Sequence, residues 1–375
     1  MDATRITGAS LGAARIPSGP LDKLAAAAAR VAGDGALVFG PARDGSVWGW
    51  KLCEAADVPQ SDLWERLVNT DVSPKELFMP RTEDIARWRD RLRNLSIAEP
   101  AAPPPVVVLG VRPCDAASFD LLDEVLIEGP FSDESYRRRR GATLLITWAC
   151  GKTGPACACD AFGLAPAAAA GDLMVYPDGN ELLLSALTPK GLEVLGDLTG
   201  GSTAGEALTG RVDAVAAALN AQKTAVGRRL ALDDLTANAA GLTATLFSSD
   251  IWTELSPRCL SCGTCTYVCP TCYCFAINDE PRGGDGRRIR TWDSCQFKEF
   301  LSMAGGHNPR PSKVERVRQR FMHKLNYHPE RYGKFLCVGC GRCIVSCPVG
   351  LHVAEVGEAL SRAAAAAVSA AKGGE

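Results

Sequence analysis

The sequence has little that would mark the whole molecule as a membrane protein or a nucleic-acid binder. Its 375 residues contain no apolar run of about eighteen residues, and residues 1–30 lack the apolar segment of a secretory signal. Lysine and arginine number 41 against 43 aspartates and glutamates, a formal net charge of −2. Because the net charge is close to zero, the electrostatic potential of the molecule has no dominant sign. We therefore expect no nucleic-acid or membrane partner and a soluble, cytoplasmic protein.

Motifs for nucleotide binding and for histidine-based catalysis are also missing. No G-x-G-x-x-G follows a predicted strand, no G-x-x-x-x-G-K-[ST] occurs, and the chain has only 4 histidines. We therefore predict no catalytic acid, base or nucleophile in this chain. Flavin and nicotinamide are expected to be bound elsewhere.

Cysteine, by contrast, is abundant and unevenly distributed. The sequence has 16 cysteines, and eleven of them lie between Cys259 and Cys347. Because the cytosol keeps thiols reduced, so many cysteines favour metal binding over structural disulfides. The chain therefore divides into a cysteine-dense end and an ordinary globular body.

A repeated cysteine pattern dominates the cysteine-dense end. The run C-x2-C-x2-C-x3-C-P occurs twice with the same spacing, at Cys259–Pro270 and at Cys337–Pro348. In bacterial ferredoxins, three cysteines of such a run wrap one 4Fe-4S cluster and the fourth ligates the other cluster. The pattern thus predicts two clusters with crossed ligands: Cys259, Cys262, Cys265 and Cys347 for the first, and Cys337, Cys340, Cys343 and Cys269 for the second. A pair of structural zinc sites is the alternative, although zinc favours two separate C-x2-C pairs.

The sequence of the globular body indicates an α/β fold. Two continuous apolar runs, at 106–110 and 143–148, indicate buried strands, and helical spacing at 116–126 lies between them. A parallel sheet with crossover helices is the economical interpretation. Helical spacing also predicts helices over 83–95 and, in the cysteine-dense end, over 313–325.

These patterns together predict the fold class and three segments. The fold class is α+β or α/β, a mixed N-terminal domain with a partly parallel sheet followed by a two-cluster ferredoxin-like domain. We assign 1–245 to the α/β domain, 246–355 to the dicluster domain with a long insert at 271–336, and 356–375 to a helical tail.

The insert is locally basic. From Glu280 to Lys334 the sequence carries thirteen lysines and arginines against six acidic residues. Positive charge next to clusters raises their reduction potentials and offers a docking surface to an acidic partner. An ordinary solvated surface is the competing interpretation.

A second cysteine group lies in the α/β body. Cys114 follows the first predicted strand and Cys150 the second, so parallel strands would bring both thiols to the carboxyl edge of the sheet. Cys157 and Cys159 follow in a glycine-containing loop. Four thiolates fit a third 4Fe-4S cluster or a tetrahedral zinc ion, and buried inert thiols are the remaining interpretation. We favour iron–sulfur, because the other predicted centres are redox clusters.

Three further cysteines fall in the insert. Cys272, Cys274 and Cys295 could bind metal together with Asp293 or His307, or they could pack beside the clusters. The sequence does not choose between these interpretations.

Several strings together resemble a known family, and they extend from about residue 35 to 355. The resemblance is to the iron–sulfur β subunit of cytoplasmic NADP-linked nickel–iron hydrogenases (sulfhydrogenases) and to the related iron–sulfur subunit of anaerobic sulfite reductases. The strings are Gly110-Val-Arg-Pro-Cys114-Asp115, Cys157-Ala-Cys159, Cys269-Pro-Thr-Cys-Tyr-Cys274-Phe, Trp292-Asp-Ser-Cys295, Met303-Ala-Gly-Gly-His307-Asn and Cys337-Val-Gly-Cys-Gly-Arg-Cys343.

The resemblance implies an electron-transfer protein that is not itself catalytic. Such a protein relays electrons between a diaphorase subunit, which binds FAD and NAD(P)H, and the small and large subunits of a nickel–iron hydrogenase, with reversible hydrogen oxidation coupled to NADP reduction. One alternative is the corresponding role beside the catalytic subunit of a sulfite reductase. Another, from a different class, is a zinc-stabilised interaction module. The eight ferredoxin-run cysteines carry over as ligands by resemblance.

Overall fold

The chain folds into two units. The computed structural model describes residues 10–19, 21–53, 58, 60–91, 94–201, 206–228, 230, 232 and 239–372. The first unit comprises Met1–Phe78 with Ala102–Ala225, and the second comprises Met79–Ala101 with Val226–Glu375.

A seven-stranded mixed sheet organises the first unit. Its strands are β1 Gly12–Pro17, β2 Leu37–Asp44, β3 Val47–Leu52, β6 Val106–Val111, β7 Thr143–Trp148, β8 Leu173–Asp178 and β9 Glu181–Ala186. Their spatial order is β1-β9-β8-β7-β6-β2-β3. The central pairs β2/β6, β6/β7 and β7/β8 are parallel, and the outer pairs are antiparallel. The predicted partly parallel sheet is confirmed.

The two central strands are apolar because both of their faces are covered. Every residue of β7 is buried, and so is every residue of β6 after the first. Trp148 at the end of β7 stacks on Trp64, with ring centroids 5.1 Å apart. Next to this pair, Gly110 adopts φ +86° where a Cβ atom would overlap the Trp64 ring, so only glycine fits.

Seven helices accompany this sheet in the described residues. They are α1 Asp22–Ala32, α2 Ser61–Arg66, α3 Lys75–Phe78, α4 Pro113–Leu126, α5 Glu134–Gly141, α6 Pro189–Thr199 and α7 Glu206–Asn220. Helix α4 begins with Pro113 in its first turn directly after β6, which places the start of this helix at the carboxyl edge of the sheet.

A four-stranded antiparallel sheet belongs to the second unit, and it contradicts one predicted helix. Its strands are β4 Thr82–Arg91, β5 Asn94–Ala98, β10 Phe275–Arg282 and β11 Asp285–Trp292, in the order β10-β11-β4-β5. The helix predicted over 83–95 is wrong, because β4 pairs with β11 about 200 residues later and that partner is invisible to local spacing.

The domain boundary therefore differs from the predicted 245/246. The hairpin at 79–101 interrupts the first unit in sequence and belongs to the second, which resumes at Val226. The hairpin joins the second unit because its backbone hydrogen bonds are completed by β11, a strand of the insert.

The remaining helices lie in the second unit. They are α8 Ala239–Phe247, α9 Ile251–Leu255, α10 Thr264–Tyr267, α11 Lys313–Met322, α12 His328–Tyr332, α13 Arg342–Ser346 and α14 Val353–Lys372, with a π-helical turn at His323–Tyr327 between α11 and α12. The helix predicted over 313–325 is present. The predicted tail belongs to a helix that already begins at Val353. No helix in the described part of the chain is both long and apolar enough to cross a bilayer.

A buried ion pair joins the hairpin to the insert and yields a stability prediction. Arg290 on β11 donates from Nε to Glu83 Oε1 on β4 at 2.7 Å, and both side chains are at most 5% exposed. Replacing Glu83 by glutamine leaves a buried guanidinium without its counter-charge. We expect the free energy of unfolding to fall by about 3 kcal/mol in urea denaturation.

The matched control is the exposed pair Asp279–Arg288 in the same sheet. Asp279→Asn is expected to change stability little, because solvent screens this pair. Equal losses from the two variants would contradict the prediction.

Candidate metal centres

The structure brings the last cysteine of the second run to the first run. Cys259, Cys262, Cys265 and Cys347 together line one small pocket that is partly open to solvent. The rest of its lining is mostly apolar and includes Leu260, Val349 and Leu351. These are the four cysteines that the spacing assigns to the first cluster, and an apolar recess lined by four thiols suits such a group.

The first run wraps tightly because glycine allows it. Gly263 adopts φ +74°, and a Cβ atom there would lie 2.6 Å from the Phe297 ring. Helix α10 begins directly after this glycine, and the Ser261 N–H donates to Cys259 Sγ at 3.4 Å. Backbone N–H groups aimed at sulfur stabilise the negative charge of a cluster.

The second predicted set is more deeply buried. Burial raises the pKa of the Cys337 thiol to about 12, and the nearby Cys269 and Cys343 add to this shift. Burial also raises the pKa of Cys343, with Cys269 again contributing. Cys269 of the first run therefore lies among the cysteines of the second, as crossed ligation requires. Cys340 occupies the same run, between Gly339 and Gly341, which both have positive φ.

These thiols must lose protons before they bind iron. The pKa of Cys265 is raised to about 11, chiefly by burial, so this thiol is neutral near pH 7. Cys262 differs, because a hydrogen bond with Thr264 lowers its pKa. Assembly of a cluster at this site would therefore release protons.

Within the described residues, no three cysteine, histidine or carboxylate side chains converge as closely as the ligands of a single metal ion do. A four-iron cluster holds its thiolates around several iron and sulfide atoms, so its ligands need not meet at one point.

The N-terminal cysteines gather at the carboxyl edge of the first unit's sheet. Strands β6 and β7 are parallel neighbours, as predicted. Cys114 lies in the first turn of α4, where Asn69 Nδ2 approaches its sulfur at 3.9 Å, and Cys150 lies two residues after β7. Burial raises the pKa of Cys159 to about 12, and the neighbouring Cys150 and Cys157 raise it too. Three of the four predicted thiols thus interact with one another.

A buried arginine accompanies these thiols. Arg112, just before α4, is 4% exposed, and its guanidinium donates to the Trp148 and Ala149 carbonyls at 3.5 Å and to the Trp64 carbonyl at 2.6 Å. Burial raises the pKa of the Cys150 thiol, and the positive charge of Arg112 opposes that shift. A fixed positive charge beside several cysteines suits an anionic metal–thiolate group.

The three insert cysteines pack against the ferredoxin runs. Cys272 shares a hydrogen bond with Cys269, which lowers the pKa of Cys269 and raises that of Cys272. Cys274 and Cys295 share another, which lowers the pKa of Cys295 to about 6. Asp293 N–H donates to the Cys274 carbonyl at 3.0 Å, so the backbone around this pair continues the β10/β11 ladder.

Sequence reasoning missed the polar groups that join these cysteines. Gln296 is 2% exposed; its Oε1 lies 3.6 Å from Cys259 Sγ, and its Nε2 donates to Cys295 Sγ at 3.5 Å. Arg320 and Lys324 are also buried and face cysteines. In the sequence, only their spacing of four residues, next to the apolar positions of α11, indicates that Arg320 and Lys324 share one side of a helix.

The basic insert is accordingly less of a positive surface than its composition suggests. Arg287 and Arg288 form ion pairs with acidic residues of the same sheet, and Arg290 is buried against Glu83. Arg316, Arg320 and Lys324 turn inward. A substantial part of the local charge is thus neutralised or directed at the cysteines.

Comparison with known proteins agrees with this geometry. The family of 4Fe-4S dicluster domains matches residues 258–351. The chain is 29% identical to Sulfhydrogenase 2 subunit beta of Pyrococcus furiosus over 326 residues, which cover 85% of this chain and 90% of the relative. No solved structure matches the chain. The predicted resemblance to hydrogenase β subunits is confirmed, and the dicluster match supports 4Fe-4S clusters.

Proposed function

We propose, on the premise of this similarity to hydrogenase β subunits, that the chain is the iron–sulfur electron-transfer subunit of a nickel–iron hydrogenase complex. The observation that carries the proposal is the pocket shared by Cys347 and the first three cysteines of the other run. Crossed ligation is the arrangement of paired four-iron clusters in bacterial ferredoxins. Paired structural zinc sites would instead group cysteines that are close in sequence.

Cysteines of the chain would provide the ligands of the clusters, and apolar residues would limit the access of water to them. Cys259, Cys262, Cys265 and Cys347 would hold the first cluster, and Cys337, Cys340, Cys343 and Cys269 the second. A bound 4Fe-4S cluster accepts and releases single electrons without a proton donor from the protein. Apolar residues at the first site, such as Leu351, limit the access of water, which influences the reduction potential.

The N-terminal set adds a third centre to the proposal. Cys114, Cys150, Cys157 and Cys159 would hold a further cluster at the carboxyl edge of the first unit's sheet. The interaction among the last three thiols and the buried charge of Arg112 support this assignment. The first unit would then carry an electron-transfer group of its own.

The partners follow from the chemistry that the chain lacks. A flavin subunit that binds FAD and NAD(P)H would deliver or accept electrons at one end, and the hydrogenase small and large subunits would do so at the other. The similarity to a sulfhydrogenase subunit favours this assignment over a sulfite reductase partner. Hydrogen oxidation coupled to NADP reduction is the overall reaction we propose.

A reduction experiment tests the proposal. The full chain, reconstituted anaerobically, is expected to be brown, to contain iron, and to be bleached by dithionite but not by NADPH, because it carries no dinucleotide-binding motif. NADPH should reduce it only after the flavin subunit is added. Visible absorption and EPR spectroscopy follow both reactions.

Two results would refute this assignment. Zinc in place of iron would indicate the structural interaction module. NADPH oxidation by the pure chain with stoichiometric FAD would show that it is its own diaphorase. Purification of the native complex with identification of its subunits separates the hydrogenase from the sulfite reductase assignment.

A further inference from the structure

Two buried cations lie on one side of a continuous helical segment in the second unit. Helix α11 begins at a capping box between Ser312 and Glu315, and the π-helical turn at His323–Tyr327 continues it. Arg320 is in α11 and Lys324 is in the π-helical turn, four residues later. Their exposed fractions are only 4% and 3%.

The π-helical turn has an identifiable cause. Pro329, in the first turn of α12, has no N–H to donate to the preceding turn. The wider turn accommodates the proline and changes the direction in which the following side chains leave the axis. Lys324 lies inside this turn and is buried there.

Both cations contact the parts of the chain that carry the cysteines. Arg320 donates from Nη1 to Cys272 Sγ at 3.5 Å and from Nη2 to the Cys265 carbonyl at 2.9 Å. Its Nε is buried without a hydrogen-bond partner.

Lys324 contacts the residues that directly adjoin the two ferredoxin runs. Its Nζ donates to Thr271 Oγ1 at 2.8 Å and to the Leu336 carbonyl at 3.0 Å. Thr271 Oγ1 in turn lies 3.4 Å from Cys269 Sγ, and Leu336 immediately precedes Cys337. The ammonium is therefore one hydroxyl group away from a predicted ligand of the second cluster.

The two cations lie beside cysteine sulfurs and not beside carboxylates. Neither side chain forms an ion pair with an aspartate or glutamate in the described part of the chain. Burial alone would lower the pKa of Lys324, but Cys269 and Cys272 raise it above its ordinary value. Burial likewise opposes the charge of Arg320, whereas Cys265 and Cys272 raise its pKa. Buried charge of this kind is costly unless an anion lies beside it.

We propose that Arg320 and Lys324 are fixed counter-charges for the two clusters and hold their reduction potentials above the values that the cysteine ligands alone would set. This inference rests on the proposed electron-transfer function. A cluster with four thiolate ligands is net negative and gains a further negative charge on reduction, so a buried cation favours its reduced form.

The two cations act on different clusters. Lys324 donates to Thr271, whose hydroxyl lies 3.4 Å from Cys269 Sγ, and to the carbonyl of Leu336, the residue before Cys337; both cysteines belong to the second set. Arg320 donates to the Cys265 carbonyl of the first set, and Cys343 and Cys269 of the second set raise its pKa. Lys324 therefore tunes the second cluster, and Arg320 tunes both.

Potentiometric titration of the full chain, followed by EPR under anaerobic conditions, tests this assignment. At the wild-type midpoint of the second cluster, Lys324→Gln is expected to lower the ratio of reduced to oxidised cluster about tenfold, a shift of about 59 mV. The first cluster should keep its midpoint. Arg320→Gln should lower both midpoints.

Charge-conserving and surface variants complete the experiment. Arg320→Lys and Lys324→Arg should remain closer to the wild-type midpoints than the glutamine variants. Lys313→Gln removes one exposed positive charge at the start of the same helix and should leave both midpoints unchanged.

Each outcome of these measurements supports or refutes either the counter-charge role or the proposed function. Unchanged midpoints in the glutamine variants, with full iron content, would overturn the inference and leave the proposed function intact. Absence of 4Fe-4S signals from the wild-type chain would overturn the proposed function itself. If the glutamine variants lose cluster iron, retention of iron in the charge-conserving variants supports the counter-charge role, and equal loss in them refutes it.

Discussion

Replacing Cys269 by alanine is expected to abolish the second cluster, although this residue belongs to the first cysteine run. The iron content should fall by about four atoms per chain, because a cubane that loses one of its four ligands is not retained stably. The structure gives the physical reason: Cys269 is buried and lies near Cys337 and Cys343. Iron analysis and EPR of the reduced chain measure the loss.

A matched variant in the same run sharpens this test. Cys262 lines the pocket with Cys347, so Cys262→Ala should remove the first cluster and leave the second. Cys53, which is assigned to no centre, should be replaceable without loss of iron. If Cys269→Ala removed the first cluster alone, the crossed ligand assignment would be incorrect.

Replacing Cys114 by alanine is expected to remove about four iron atoms from a chain that we expect to hold about twelve. The EPR signals of the two clusters in the second unit should remain, since each unit has its own core and its own cysteines. Sheet geometry supports this prediction, because β6 and β7 are parallel and end at the same edge.

Arg112 provides a second variant for this N-terminal site. Arg112→Gln keeps all four cysteines but removes the buried positive charge beside Cys150. It should weaken iron retention at this site without affecting the second unit. Full iron content and unaltered electron transfer in Cys114→Ala would show that the four thiols only pack against one another.

Local sequence predicted the first unit well for a physical reason. The runs at 106–110 and 143–148 are apolar throughout because both faces of a central parallel strand are covered. The strands that form there are Val106–Val111 and Thr143–Trp148. The following turns then carry Cys114 and Cys150 to the sheet edge, which is a consequence of chain direction alone.

The segment 79–101 shows that local spacing does not predict strands whose partners are distant in sequence. The spacing of residues 83–95 predicts a helix, yet strands occupy Thr82–Arg91 and Asn94–Ala98. What makes them strands is the ladder between β4 and β11 and the buried pair of Glu83 and Arg290. Partners about 200 residues apart leave no local signal, so neither the strands nor the unit boundary could be read from spacing.

The cysteine spacing predicts the chemistry of this protein, whereas the packing of distant segments sets the environment of the cysteines. Two cysteine runs of identical spacing predict paired clusters because ligand spacing is a local property, set by bond lengths and by glycines that permit tight turns. Which polar groups surround those cysteines depends on packing between distant segments. Arg320 and Lys324 look like surface charges in a basic insert, yet the fold buries them against the sulfurs, since a charge is stable in the interior only beside its opposite.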